Sequence, residues 1–167
     1  MTPRAAVYVL LRRGRALGKN GSNCGGGSDS VSANEILMMR RQGGWGAGQW
    51  SLPSGHVEEL ESPATAAARE VLEEVGVEVP RQALKIQHAM YRRSTTTDNI
   101  PLVYLDLFFE ATEWFGDPMN LEPRKCDAIE FVNSDFELPE RTLPHVREAL
   151  RCCRLNIPFT IEDWSSE

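Results

Sequence analysis

The sequence predicts an α+β fold in which several strands are accompanied by only two helices. Apolar runs of strand length are separated by polar or Pro/Gly-containing turns, whereas helical periodicity occurs in two segments. Of the 167 residues, 41% are hydrophobic, which is enough apolar surface to bury one core. We therefore expect a single domain that spans residues 1–167.

Five segments are predicted to form strands. Residues 5–11 are continuously apolar and partly β-branched, as expected of a buried strand, and residues 35–39 repeat this pattern, so we expect these two strands to pair. Further apolar runs bounded by turns predict strands at residues 84–91, 101–111 and 128–132.

A glycine-rich stretch separates the first two predicted strands. Residues 14–30 contain six glycines together with serines and asparagines, a composition that cannot offset its ordering entropy by burial. The stretch therefore predicts a flexible insertion in a hairpin. A linker role is the simpler interpretation, and a lid over a substrate is the alternative.

The two predicted helices have recognisable ends. Ser62 is a good N-cap, Pro63 suits the first helical position, and Gly76 can adopt the left-handed conformation that ends a helix. The predicted apolar face of this helix consists of Ala64, Ala67, Ala68, Val71 and Val75. The second helix is predicted at Pro144–Arg154, with an apolar face of Val146, Ala149, Leu150 and Cys153.

Charge and cysteine content restrict the partners and the compartment. The net charge of −6 repels a phosphate backbone, so we expect no nucleic-acid partner. Residues 5–11 are too few to span a bilayer, so we expect no membrane association either. The four cysteines form no CxxC pair, which favours a reducing cytoplasm. Whether two chains pair as a homodimer is left open.

The first predicted helix carries an acidic face beside its apolar face. Glu70, Glu73 and Glu74 lie at i, i+3 and i+4, where like charges repel, and Arg69 is the one cation among them. A cation bound between the carboxylates would relieve this repulsion. Mg²⁺ suits such hard oxygen ligands and fills its remaining positions with water and phosphate oxygens, so we predict a magnesium site, in which Mn²⁺ can substitute.

These residues belong to a longer pattern. Gly55 is followed after five residues by Glu61, and after seven more by the run Arg69-Glu70-Val71-Leu72-Glu73-Glu74-Val75-Gly76-Val77. This pattern resembles the Nudix box, GX5EX7REUXEEXGU, at every specified position. Weaker similarity continues outside it, because residues 50–56 resemble the segment that precedes the box. Residues 121–126 resemble a segment of the branch that includes nucleoside triphosphate pyrophosphohydrolases.

The resemblance implies a fold and a set of roles. The fold is a Nudix-like αβα sandwich around a central mixed sheet, with the box forming a strand, a loop and a helix. Glu70, Glu73 and Glu74 would be metal ligands or the base that activates water, and the resemblance does not decide which glutamate is the base. Arg69 would orient a carboxylate, and Glu61 would support it.

Two further metal ligands are expected from outside the acidic helix. Related enzymes often use the backbone carbonyl of a glycine just before the box, and Ser54 occupies that position here. A fourth carboxylate often comes from another segment, and Asp106 is the candidate because it interrupts the apolar run at residues 101–111. The simpler interpretation of Asp106 is a solvent-facing strand position. The rival candidates are Glu110, Glu113 and Glu122.

Candidate substrate contacts are mainly basic. Guanidinium groups match phosphate oxygens well, and the pairs Arg40 and Arg41, and Arg92 and Arg93, are the basic clusters of an acidic protein. We name Arg40, Arg41, Arg92 and Glu122 as substrate-binding candidates, with solvated strand ends as the alternative. Trp45, Trp50, Trp114 and Phe115 could stack on a base, although packing explains them as well.

The predicted function is magnesium-dependent cleavage of a diphosphate linkage in a nucleotide-like small molecule. The segment at residues 121–126 favours hydrolysis of a nucleoside triphosphate, standard or oxidised, to monophosphate and pyrophosphate. The box reads only the diphosphate, so ADP-ribose, nucleotide sugars and dinucleoside polyphosphates remain alternatives. A non-catalytic nucleotide-binding module is the third hypothesis, and the presence of all four box glutamates argues against it.

Overall fold

In a computed structural model, residues 2–13, 35–95, 98–135 and 138–162 are described. The predicted insertion at residues 14–30 lies outside these ranges. The elements, in chain order, are β1 (Arg4–Arg13), β2 (Glu35–Arg41), β3 (Trp50–Ser51), β4 (Ser54–His56), α1 (Pro63–Val75), β5 (Lys85–Thr95), β6 (Pro101–Ala111), β7 (Cys126–Asn133), α2 (Pro144–Arg154) and β8 (Phe159–Glu162). All five predicted strands and both helices are present.

The strands form one mixed sheet. Its order is β3-β2-β1-β6-β5-β8, with β4 paired to β1 and β7 paired to β2. The pairs β1–β6 and β5–β8 are parallel, and the other pairs are antiparallel. The predicted pairing of β1 with β2 is confirmed at Arg12–Ile36 and Arg13–Glu35.

One edge of β1 pairs with two different strands, β4 and β2, over a few residues each. Near its start, Ala6, Val7 and Tyr8 pair with β4, and at its end Arg12 and Arg13 pair with β2. Between these pairings, the Val9 backbone N–H donates to the carbonyl oxygen of Pro53 at 2.9 Å. The sheet is therefore divided beside the centre of β1, and this division positions the cavity described below.

Both faces of β1 are buried, which explains its continuously apolar sequence. Val7, Val9 and Leu11 pack with Val71 and Val75 of α1, and we call this side the α1 face. The alternate residues pack on the α2 face, in a cluster that comprises Ala6, Tyr8 and Leu10 of β1 with Val146, Ala149 and Leu150 of α2. One helix on each side of a mixed sheet is the αβα sandwich that the box implied.

Helix α1 has the predicted ends. The Ser62 hydroxyl accepts the Thr65 backbone N–H at 3.2 Å, and Gly76 adopts φ 72° while its N–H donates to the carbonyl of Leu72. Its predicted apolar face is shifted, because Ala66 is fully buried where Ala64 and Ala68 are only partly so. In α2, similarly, Cys152 is fully buried and Cys153 only partly.

No helix in the described ranges is long and apolar enough to cross a membrane.

We expect Gly76→Ala to lower the free energy of unfolding by about 1–2 kcal/mol, because an alanine at φ 72° is strained. The added Cβ would also press on the Leu121 side chain, 3.0 Å away. Gly43→Ala shares the backbone strain, since Gly43 has φ 70°, but has open space around its Cβ position, so the difference between the two variants measures the contact with Leu121. Urea denaturation should show the larger loss for Gly76→Ala, and equal stability to the parent protein would contradict this role for Gly76.

Candidate functional site

A cavity of about 750 Å³ lies beside the divided edge of β1. It has two chemically different ends. Glu70, Glu74, Glu122 and Lys125 form what we call the acidic end. Tyr8, Trp45, His56, Arg92 and Tyr104 form what we call the aromatic chamber. The volume is within the range of small-molecule sites, and a charged group and a planar ring could be accommodated together.

Helix α1 places Glu70 and Glu74 one turn apart against β4. The carboxyl group of Glu70 lies so close to Gly55 that any Cβ at that position would overlap it. Glu74 accepts the backbone N–H of Ser54 at 2.8 Å. The glycine that begins the box is therefore required by this close approach, because a side chain at Gly55 would displace Glu70.

Electrostatics at the acidic end oppose full ionisation of these carboxylates. Burial raises the pKa of Glu74 to about 8, and the charges of Glu70 and Glu122 add to the effect. Burial also raises the pKa of Glu70, although Arg69 acts in the opposite direction. Each ionised carboxylate makes the ionisation of its neighbour less favourable, so the cluster favours the binding of a cation.

The donor chemistry of the acidic end fits a hard divalent cation. Carboxylate oxygens and a backbone carbonyl are ligands that suit Mg²⁺, and Glu74 lies beside Ser54 while Glu70 lies beside Gly55. Within the described ranges, no three His, Cys, Asp or Glu side chains stand together as a ready-made ligand set. The acidic end therefore matches Mg²⁺ in the chemical type and the negative charge of its donor groups.

Arg69 ties the box loop to the acidic helix. Its guanidinium donates to both carboxylate oxygens of Glu61 at 3.0 Å, to Glu70 at 2.7 Å, and to the carbonyl of His56 at 3.1 Å. The hydrogen bond from Arg69 lowers the pKa of Glu61, which keeps this carboxylate ionised. Arg69 thus helps to fix the position of Glu70 beside Gly55.

Glu73 is separated from the other two helix glutamates. Its side chain is 54% exposed and does not line the cavity. Its side chain accepts a hydrogen bond from Arg69 at 3.4 Å. In this conformation Glu73 faces solvent, while Glu70 and Glu74 face the cavity.

Asp106 does not join the glutamates, and its predicted role as a metal ligand is corrected. Asp106 pairs with Ala6 in the register of β1 and β6, which places it on the α2 face, whereas Glu70 lies over Gly55 on the α1 face. Asp106 is fully buried and forms an ion pair with Arg92. Burial raises its pKa to about 6 despite this arginine. Its structural function is to hold the Arg92 guanidinium.

The substrate-binding candidates are divided between the cavity and the surface. Arg41, Arg92 and Glu122 line the cavity. Arg40 does not: it forms an exposed ion pair with Asp127 at 2.6 Å, so its assignment as a substrate contact is corrected. Lys125, which the sequence did not single out as a site residue, lies at the acidic end and pairs with Glu122 at 2.7 Å.

Rings and cations are arranged together in the aromatic chamber. Tyr104 stacks with His56 at a centroid distance of 5.9 Å, and the Arg92 guanidinium lies 4.5 Å from the Tyr104 ring. Trp45 lies near the guanidinium of Arg41. The Tyr8 hydroxyl and His145 Nε2 are hydrogen bonded at 3.1 Å below them. Tyr8 and Tyr104 were missed because both occur within apolar strand runs, where aromatic residues are ordinarily core.

Comparison with known proteins identifies the family. A profile described as the NUDIX domain matches residues 30–151, which is well over half of the chain. The chain belongs to the Nudix family, and the family, the αβα fold and the general enzyme class predicted from the box are thereby confirmed. The box at residues 55–77 lies inside the matched region.

Solved structures and a curated relative resemble this chain to different extents. A MutT NUDIX hydrolase from Burkholderia pseudomallei has a TM-score of 0.69 at 23% identity and covers 90% of this chain and 98% of its own. A UDP-X diphosphatase has a TM-score of 0.58 at 19% identity, with coverages of 98% and 68%. These identities show the fold alone. An octanoyltransferase from Myxococcus xanthus is 46% identical over 54 residues, which is 32% of this chain and only 15% of that protein.

We expect Gly55→Ala to weaken Mn²⁺ binding by about tenfold or more, because the added methyl group displaces Glu70 from its position on β4. Ser54→Ala is the neighbouring control, since it retains both the backbone N–H that Glu74 accepts and the backbone carbonyl. Isothermal titration with Mn²⁺ measures both variants. Equal affinity of Gly55→Ala and the parent protein would show that the position of Glu70 is unimportant for the cation.

We expect Asp106→Asn to lower the free energy of unfolding by about 3 kcal/mol, because a buried arginine loses its charged partner. Affinity for Mn²⁺ should stay unchanged, since Asp106 lies on the other face of the sheet from Glu70. Denaturation and Mn²⁺ titration of the same sample separate the two effects. A loss of Mn²⁺ affinity as large as that caused by Glu74→Gln would restore Asp106 as a ligand.

Proposed function

We propose that the protein is a divalent-metal-dependent hydrolase that converts a nucleoside triphosphate, standard or oxidised, to the monophosphate and pyrophosphate. The observation that carries this proposal is the continuity of one cavity from the acidic end to the aromatic chamber. The first end suits a metal-bound polyphosphate, and the second suits a planar base. A nucleotide is the common small molecule that has both parts.

The residues proposed to hold the metal are Glu70, Glu74 and the backbone carbonyl of Ser54. Glu73, the third carboxylate of this helix, faces solvent in this conformation and is proposed to contribute less. Mg²⁺ is the proposed ion, and Mn²⁺ can substitute. When bound, the ion neutralises the charge of the diphosphate and lowers the pKa of a bound water. Arg69 contributes by donating a hydrogen bond to Glu70, and Gly55 contributes by leaving space for the Glu70 carboxyl group.

In the proposed reaction, the side chains of the protein transfer one proton. Water attacks a phosphorus atom, its proton passes to a carboxylate of the acidic end, and the bridging P–O bond breaks to release pyrophosphate. Glu70 and Glu74 both line the cavity, so either carboxylate is placed to accept this proton. Lys125 lies where it can offset the charge of the departing pyrophosphate.

The aromatic chamber is proposed to hold the base. The rings of Tyr104 and Trp45 offer stacking surfaces, and Arg92 offers hydrogen-bond donors at a fixed position because Asp106 holds it. Arg41 supplies a further cation near Trp45. We extend the proposal to a cytoplasmic protein, on the ground that Cys126, Cys152 and Cys153 are free thiols.

The second candidate function is hydrolysis of another nucleoside diphosphate derivative. It is favoured by the similarity in fold to a UDP-X diphosphatase and by the volume of the cavity, which leaves room for a sugar. The two functions differ in their products. A triphosphate yields pyrophosphate, whereas a nucleotide sugar yields two monophosphates.

We expect Mg²⁺-dependent release of pyrophosphate from at least one member of a panel of standard and oxidised nucleoside triphosphates, ADP-ribose and nucleotide sugars. Glu70→Gln and Glu74→Gln should each lower kcat by a factor of about 10²–10⁴, because both carboxylates face the cavity. Glu73→Gln should lower it much less, since its side chain is exposed. Separation of the products by anion-exchange chromatography measures all variants.

The matched control is Glu59→Gln, which removes an exposed carboxylate of the box loop outside the cavity. It should leave kcat unchanged. Two monophosphates from a nucleotide sugar, with no pyrophosphate from any triphosphate, would replace the first candidate function by the second. Inactivity on the whole panel despite Mn²⁺ binding would contradict both.

A further inference from the structure

The wall of the aromatic chamber contains a buried cation. The Arg92 side chain is only 5% exposed, yet it lines the cavity. Its Nε–H donates to Asp106, and its guanidinium lies 4.5 Å from the Tyr104 ring. Tyr104 is its direct neighbour in the register of β5 and β6, so both side chains lie on the α2 face. The ion pair and the ring therefore hold the planar guanidinium at one position in the wall.

A second cation lies nearby. Arg41 also lines the cavity, and its Nε–H donates to the carbonyl oxygen of Trp45 at 3.1 Å. Burial lowers the pKa of His145 to about 3, and the charges of Arg92 and Arg41 both add to this effect. A guanidinium has only N–H groups, so it donates hydrogen bonds and accepts none. The two arginines thus give the chamber positive charge and fixed donors.

The carboxylates that neighbour Arg92 do not face the cavity. Asp106 accepts from Arg92, is fully buried and does not line the cavity. Glu162 is opposite Arg92 in the register of β5 and β8 and does not line the cavity either. Glu58 lines the cavity, but it is exposed, and its backbone N–H donates to Glu61 within the box loop. A base in the chamber would therefore find no carboxylate beside Arg92.

The neutral polar groups of the chamber favour neither donors nor acceptors. Burial and nearby arginines lower the pKa of His56, so this ring is neutral at pH 7 and has one donor and one acceptor nitrogen. The hydroxyls of Ser94 and Thr95 likewise donate and accept. The Tyr8 hydroxyl is hydrogen bonded to His145. The excess of donors supplied by the arginines thus decides what the chamber recognises.

Nucleobases differ in the group that they would present to these donors. Guanine, hypoxanthine and uracil have a carbonyl at purine C6 or pyrimidine C4, where adenine and cytosine have an amino group, and we call them keto bases and amino bases. A carbonyl oxygen accepts from Arg92, whereas an amino group sets donor against donor and leaves both without a partner. Because Asp106 holds Arg92, the guanidinium does not turn away to avoid this loss.

We propose that the aromatic chamber selects keto bases over amino bases, and that Arg92 is the specificity-determining residue that donates to the base carbonyl. Asp106 is a positioning residue, because it holds the guanidinium without lining the cavity. This selection rests on the proposed function, since it requires a nucleotide in the cavity. It applies equally to triphosphates and nucleotide sugars, because it concerns the base alone.

Isothermal titration of the full chain with nucleoside monophosphates, in the presence of Mg²⁺, tests base selection without turnover. Inosine and adenosine monophosphates are one matched pair, and uridine and cytidine monophosphates are the other. In the pair that binds more tightly, the keto member should have at least about tenfold higher affinity. Equal affinity within that pair, a preference for the amino member, or no binding of any monophosphate would overturn the proposal.

Arg92→Gln should reduce this preference to about twofold or less, because an amide both donates and accepts. Arg40→Gln is the matched control, since Arg40 pairs with Asp127 at the surface and does not line the cavity. It should leave the preference unchanged. Full preference in Arg92→Gln, or an equal loss in Arg40→Gln, would overturn the role of Arg92. The comparison of the two pairs on the parent protein does not depend on the folding of either variant.

Hydrolysis measured on the same protein distinguishes a failure of base selection from a failure of the proposed function. If triphosphates are hydrolysed and the members of each pair bind equally, base selection is wrong and the proposed function stands. If keto monophosphates are preferred and neither triphosphates nor nucleotide sugars are hydrolysed, the proposed function is wrong and base selection stands.

Discussion

The structure of the site depends on how closely α1 approaches β4. The Glu70 carboxyl group occupies the space that any side chain at Gly55 would need, so the helix can lie directly on the strand only because this residue is glycine. Glu74 then reaches the Ser54 N–H, and Arg69 reaches Glu61 on the intervening loop. A single glycine thus determines the depth at which the carboxylates sit, and with it the geometry of the acidic end.

This arrangement costs stability locally, and other parts of α1 offset the cost. Buried carboxylates with raised pKa values oppose folding at neutral pH, since burial disfavours their charged forms. The same helix has a hydroxyl N-cap, a glycine C-cap and fully buried Ala66, Ala67, Val71 and Val75. Because the apolar side of α1 packs on the sheet and holds the helix in place, the acidic side of the helix can line the cavity.

The sequence predicted what depends on local spacing and failed where the answer depends on distant strands. The box glutamates and both helix ends follow from fixed intervals, so they could be read directly. Asp106 was misassigned because the alternation of side chains along β6 does not show which face of the sheet packs against α1. The pairing of β6 with β1 decides this. Strands β3, β4 and β8 have two to four residues, too few to show a period. Tyr8 and Tyr104 were indistinguishable from core.

The parallel pairing of β1 with β6 has a consequence for how the chain folds. Arg4 pairs with Tyr104 and Leu11 with Ala111, so the centre of the sheet joins segments 100 residues apart. Such distant pairing must wait for much of the chain to be ordered, and folding rates fall as contacts become less local. Until β6 arrives, the apolar run of β1 has an open edge, which exposes newly made chains to aggregation. The strand at the centre of the finished sheet is thus one that lacks its partner for much of synthesis.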